Sequence, residues 1–164
     1  MKDSTRDLFF LEAGYIIEYM EKVLSKAGVR EDVSCHVAEG LVQASLRGID
    51  SHGIRLLPHY LKGVEGGRIN KNPCFMFNKT SASTGKLDGD HTFGHAAGVE
   101  GMNKAIEMAT EAGTGHVAVY NSSHFGAAAF FALLAAKRDM IGMCFTNATT
   151  HVLTTGRNRA FFGN

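Results

Sequence analysis

The sequence predicts an α+β protein: a helical N-terminal layer followed by short strands and crossover helices that form an incomplete sheet. Three observations carry this reading. Apolar residues recur at helical spacing through three consecutive segments before residue 72. From residue 73 the pattern changes to short strand-like runs alternating with helical ones, an order that favours crossovers and locally parallel pairing. Glycine is abundant at 19 residues and proline scarce at 2, and many glycines stand where a helical pattern stops. The chain therefore divides into a helical region, 1–72, and the start of an α/β domain, 73–164.

Each element has its own justification. Ser4 and Asp7 are spaced like a capping box ahead of Phe9, Ile16, Met20, Val23 and Leu24, and Gly28 ends that first helix. Val33, Val37, Leu41 and Val42 mark a second helix that stops before Gly48. After the polar break Asp50–Gly53, residues Ile54, Leu57, Leu61 and Val64 mark a third, with Pro58 near its start and Gly66-Gly67 at its end. Phe75–Thr80 and Ser83–Leu87 read as strands. Gly94–Ala112 is a strong helix, with Ala97, Met102, Ala105, Ile106 and Ala109 in one stripe and Gly113 as its cap. Val117–Tyr120 is a strand. Gly126–Lys137 is a helix apolar nearly all round, hence expected to be buried on several sides. Ile141–Thr146 is a further strand. Met102, Met108, Met140 and Met143 read as core filler.

Bulk properties narrow the function. The 164 residues suit one domain, which buries roughly 70% of its unfolded surface and needs no metal or disulfide staple. Net charge is +1 with no basic block, which argues against nucleic acid as a partner. Cys35, Cys74 and Cys144 are far apart and odd in number, pointing to buried thiols in a reducing compartment. The charged N-terminus is not a signal peptide. The longest nearly apolar run, Phe125–Ala136, is too short to span a bilayer. A cytoplasmic protein without membrane partners is expected.

Chemistry concentrates in two loops. In Asp50-Ser51-His52-Gly53-Ile54-Arg55 an imidazole, which titrates near ~6.5, stands beside a hydroxyl and near a guanidinium. Such a group serves as proton donor when a ketone or imine is reduced, and as base in the reverse oxidation. Ser51 can orient the ring, and Arg55 can hold a carboxylate through two parallel bonds. The plainer alternative is a helix start with Ser51 as N-cap and His52 and Arg55 in solvent. His124, in Asn121-Ser122-Ser123-His124-Phe125-Gly126, follows a strand and precedes a helix, where backbone N–H groups favour neutral imidazole and anionic ligands. The alternative there is a capping turn.

Other motifs carry less. Gly113-Thr114-Gly115-His116-Val117-Ala118 matches the dinucleotide pattern in letters but runs from helix to strand, the reverse of the required context. His91 and His95 are spaced for one helix face with His116 near in sequence, yet no Cys or Glu completes a set. They read as structural or surface histidines, no metal site is assigned, and a zinc hydrolase is the outlying alternative.

The ordered set of short motifs resembles the malate/L-lactate dehydrogenase family that lacks a Rossmann domain and includes ureidoglycolate dehydrogenases and diketogulonate reductases. The matching stretches are Arg47-Gly48-Ile49-Asp50-Ser51-His52-Gly53, Leu57-Pro58-His59-Tyr60, Gly66-Gly67-Arg68-Ile69, Leu87-Asp88-Gly89-Asp90, Asn121–Gly126 and Thr146-Asn147-Ala148. They cover nearly the whole chain from the first helix. The resemblance implies hydride transfer, with NAD or NADP, to or from a small 2-oxo or 2-hydroxy (or imino) acid. It also implies a homodimer with a shared active site. His52, with Ser51 beside it, and His124 match histidines assigned as proton donor in different members. Tyr60 matches a substrate contact. Arg55 stands one position before the arginine of many members, where this chain has Leu56. Asn147, Thr149, Gly163 and Asn164 match the neighbourhood of the cofactor, although the prolines and Gly-Gly pair common after Asn147 are replaced by Thr149-Thr150-His151-Val152. Members continue past the point matching Gly163-Asn164, so the sequence reads as the front part of such an enzyme. An inactive remnant or dimerising fragment is the alternative.

Overall fold

The structure, a computed structural model, describes residues 10–148, 150, 152–156 and 158–163. Helices α1 (Ala13–Lys26) and α2 (Glu31–Leu46) pack against each other. The expected capping pair Ser4 and Asp7, with Phe9, lies outside the described residues. Glu31 and Asp32 occupy the first turn of α2, where they complement the helix dipole. Arg30 holds Asp32 through two bonds of 2.6 and 2.8 Å. Leu24, Val33, Val37, Ala38 and Leu41 have no exposed surface, and with Met20, Leu57, Tyr60, Ile69, Phe93 and Ala96 they form the main core. The helical layer thus shares its core with residues beyond 72.

Two 3-10 turns, Asp50–His52 and Ile54–Leu56, lead into α3 (Leu57–Glu65), with proline in its first turn as expected. These turns lie directly on α2. The amide of Ile54 donates to Ser45 Oγ at 3.1 Å. At Gly53 a Cβ would come within 2.1 Å of that same oxygen, so only glycine permits the contact.

Strands β1 (Met76–Lys79), β2 (Thr84–Thr92) and β3 (His116–Ser122) form an open mixed sheet in the order β1-β2-β3. β1 runs antiparallel to β2, with Met76 opposite Asp88, so parallel pairing holds only for β2 and β3. Helix α4 (Gly94–Ala112) makes the crossover between them and ends on Gly113 in the left-handed region, φ 79°. The β2–β3 register shifts between Asp88 and Thr92, where Asp90 and His91 have positive φ. The bulge is hydrogen-bonded: Asp88 accepts from the Asn121 side chain and the Asp90 amide, and Asp90 accepts from Asn70 and the Cys74 amide. This device (a kink at the strand's carboxyl end) re-aims the chain entering α4.

The later elements depart from expectation. The helix expected over Gly126–Lys137 is the shorter α5, Ala129–Ala136, and only Phe131 and Ala135 are buried in it. The segment 141–148 is irregular rather than a strand, and Ile141, Met143 and Phe145 are exposed. A strand needs a neighbouring ladder, and none pairs with this segment among the described residues. Met143 is consequently not core filler, whereas Met108 is buried. The thiols are not buried either: Cys74 is exposed, and Cys35 and Cys144 are half-buried. β4 (Val152–Leu153) and β5 (Ala160–Phe162) form a separate antiparallel pair. No helix among the described residues is long and apolar enough to cross a membrane.

Candidate active site

The 3-10 turn seated on α2 presents His52, with Ser51 Oγ 2.9 Å from its Nδ1. Ser51 therefore orients the ring rather than capping a helix. His124 arrives from the opposite side, on the loop leaving β3. That loop is tied to the end of β2: the amide and hydroxyl of Ser123 both donate to the Thr92 carbonyl at 3.0 Å. The two imidazoles, 72 positions apart, stand with ring centroids 5.4 Å apart.

Beneath them lies Tyr60. Its side chain is 1% exposed, and its hydroxyl is 2.8 Å from Nδ1 of His124. Tyr60, expected as a substrate contact, thus stands against His124 at the groove's end. Burial pushes its phenol well above the ordinary range, against a smaller opposing pull from Arg68, so the proton stays on oxygen. Burial of the inner side of His124, then the neighbouring His52 and His59, lowers the pKa of that imidazole. The helix dipole invoked from the sequence has no part in this, because α5 begins only at Ala129.

His95, on the first turn of α4, is the residue the sequence reading undervalued. It is 1% exposed, packs edge-on to Tyr60 at 5.6 Å, and among the described residues neither ring nitrogen has a hydrogen-bond partner. Burial, with His124 and His52 adding to it, lowers its pKa to about 3, so it is neutral. A Cβ at Gly40 or at Gly126 would come within 2.4 Å of the ring, and Gly126 has φ +75°. The His124 loop and α2 therefore close directly on His95. The one signal in the sequence was a glycine in the middle of α2, which marks a close approach. His91 and His95 do not share a helix face: His91 sits on the β2 bulge and is exposed.

An open groove of about 1880 Å³ runs from the imidazole pair along β3 and α5, and its lining includes Ser122, Ser123, Thr146, Asn147 and Gly163. Asn147 is exposed there, while Thr149 and Asn164 lie outside the described residues. Arg55 is exposed but does not line the groove. Gly113-Thr114-Gly115 joins α4 to β3, as the rejection of a phosphate-binding loop requires.

An α+β scaffold that brings two loop histidines to the mouth of a groove, at the carboxyl end of parallel strands, defines a candidate acid–base site. Residues 12–164 match the family model described as malate/L-lactate dehydrogenase, and the chain belongs to that family. It is 41% identical over 141 residues to a malate dehydrogenase of Pyrococcus abyssi, covering 86% of this chain and 39% of that protein. It is 30% identical over 146 residues to the NAD(+)-dependent ureidoglycolate dehydrogenase of Escherichia coli, covering 89% of this chain and 42% of the relative. Its fold superposes on the sulfolactate dehydrogenase structure from Methanocaldococcus jannaschii with a TM-score of 0.84 at 31% identity, over 94% of this chain and 45% of that one. The chain thus spans about two-fifths of the length of the curated relatives it matches.

Proposed function

We propose that this chain carries the acid–base half of an NAD(P)-dependent oxidoreductase acting on a small 2-hydroxy or 2-oxo acid, with His124 as the proton-transfer group and His52 beside it. The observation that carries the reading is the Tyr60–His124 bond next to His52. If Nδ1–H of His124 donates to the Tyr60 oxygen, Nε2 is left free. It then accepts a proton from a substrate hydroxyl, or returns one from the imidazolium, with the same Tyr60 contact in both states. Ser51 fixes the second ring, which is placed to hydrogen-bond the same substrate. Malate, lactate, sulfolactate and ureidoglycolate, the acids named for the family and the relatives, are the substrates to try.

The groove fits a nicotinamide cofactor: its polar rim at Thr146 and Asn147 and the bare backbone at Gly163 adjoin the imidazoles. Asn147 and Gly163 would hold the cofactor, and the bound nicotinamide supplies or accepts the hydride. A homodimer belongs to the same proposal. Tyr15 and Tyr19, one turn apart on α1, leave an exposed aromatic face for a second copy. A monomeric mass in sedimentation equilibrium removes the dimer.

The test is turnover of these acids with NAD and NADP, together with titration of the chain with NADH and NADPH by fluorescence. His124→Gln is expected to lower kcat by about 10²–10⁴-fold, the range of a lost general acid or base. Full turnover in the His52→Ala, His124→Ala double variant sinks the assignment. A non-catalytic remnant or dimerising fragment is the second reading, favoured by the exposed, irregular segment 141–148 that lines the groove, and absence of any NAD(P)H binding would select it. The pH dependence has a definite sign. Oxidation needs neutral His124 and so is expected to persist below the ordinary histidine pKa, whereas reduction needs imidazolium and fades as pH rises through that lowered value. A rate profile with its inflection above the ordinary value contradicts the assignment.

A further inference from the structure

A second cluster lies away from the groove, on the outer part of the helical layer. The potential ligand atoms of Cys35, His36 and Glu39 on α2 all lie within 4.8 Å of one another. Their spacings of three and four residues place Glu39 one turn beyond both partners on the same helix surface. We propose that Cys35, His36 and Glu39 bind one divalent transition metal ion of the zinc type, with solvent completing its coordination.

Geometry makes this feasible. Donors in a tetrahedral zinc site, with bonds of about 2.0–2.3 Å, stand roughly 3.3–3.8 Å apart. Closing the present spread to that size is a matter of side-chain torsions, and Glu39 is exposed and free to turn. The donor set decides the class of ion. One sulfur, one imidazole and carboxylate oxygens suit zinc, while magnesium and calcium require oxygens alone. Electrostatics agree. Among the described residues Glu39 enters no ion pair, so its carboxylate is open to a cation. On binding, the S–H proton passes to solvent as the sulfur–metal bond forms, with no change of oxidation state.

The probes are Co²⁺ and Zn²⁺ added singly to the 164-residue protein. One Co²⁺ per chain is expected, with a thiolate-to-cobalt charge-transfer band that Zn²⁺ abolishes, and a melting temperature raised by Zn²⁺ and restored by chelator. Cys35→Ser removes the band, and Cys74→Ser, at an exposed thiol elsewhere, keeps it. Glu39→Gln and His36→Gln each weaken affinity by at least about tenfold. Because Glu39 is exposed, its variant keeps the test open even where Cys35→Ser folds poorly. Absence of the band in the unaltered protein, its survival in Cys35→Ser, or unchanged affinity in Glu39→Gln would each overturn the site.

Discussion

The helical layer and the far side of the sheet are both rich in apolar residues, yet they meet water differently. Leu24, Val33, Val37 and Leu41 are wholly enclosed, because α1, α2, Phe93 and Ala96 present matching faces to one another. Ile141, Met143 and Phe145 are 90%, 69% and 87% exposed, and β3 is mostly exposed along its length. Apolar composition expresses a demand for burial. Whether the demand is met depends on a facing surface, which the described residues supply on one side of the molecule only. The imidazole pair stands at the seam: His52 on the enclosed layer, His124 on the loop leaving the open side.

The largest effect that tests this contrast is a truncation in the enclosed layer. Leu41→Ala is expected to cost about 2–5 kcal/mol, as for a fully buried leucine whose neighbours cannot collapse. Chemical denaturation measures it, and a cost near zero would mean the layer is not a packed core.

A second test uses His95, which joins the layer to the groove. Its pKa falls from the ordinary 6.5 to about 3 on folding, so below 6.5 the unfolded chain binds a proton that the folded one refuses. Stability contributed by this group is therefore full above that value and lost as pH falls towards 3, with a slope of about 1.4 kcal/mol per pH unit within the window. His95→Gln is expected to flatten the dependence in equilibrium unfolding between those limits. An unchanged slope would show that His95 is not held neutral.

The smallest effect is expected on the open side. Ile141→Ser, Met143→Ser and Phe145→Ser should each change stability by no more than about 0.5 kcal/mol, as exposed positions do. A loss comparable to that of Leu41→Ala would show that this segment is covered in solution.

The contrast also separates what pattern can reveal from what it cannot. α4 was legible to the residue, since a long amphipathic run ending in Gly113 leaves little choice. The helices α2 and α3 follow the same logic. The Ile141–Thr146 strand and the full length of α5 were misread, because an apolar run looks the same whether or not a neighbour exists to pair with it. In the candidate site, Ser51, His52 and His124 were visible as polar loop residues at the ends of regular elements. The burial of Tyr60 and the place of His95 were not, since spacing carries no information about depth.

By itself the sequence determined the order of the helices and strands as far as α5, the kinship of the chain and the identity of its two loop imidazoles, because periodicity and short motifs are local properties. Only the tertiary structure decided that those rings stand 5.4 Å apart over a buried tyrosine, and that His95 lies enclosed beneath them without a hydrogen-bond partner among the described residues. The reason is physical: proximity between residues 60, 95 and 124 depends on how α2, α4 and the β3 loop pack together. That packing is settled by glycines admitting close approach and by apolar faces that meet, quantities that no single segment contains.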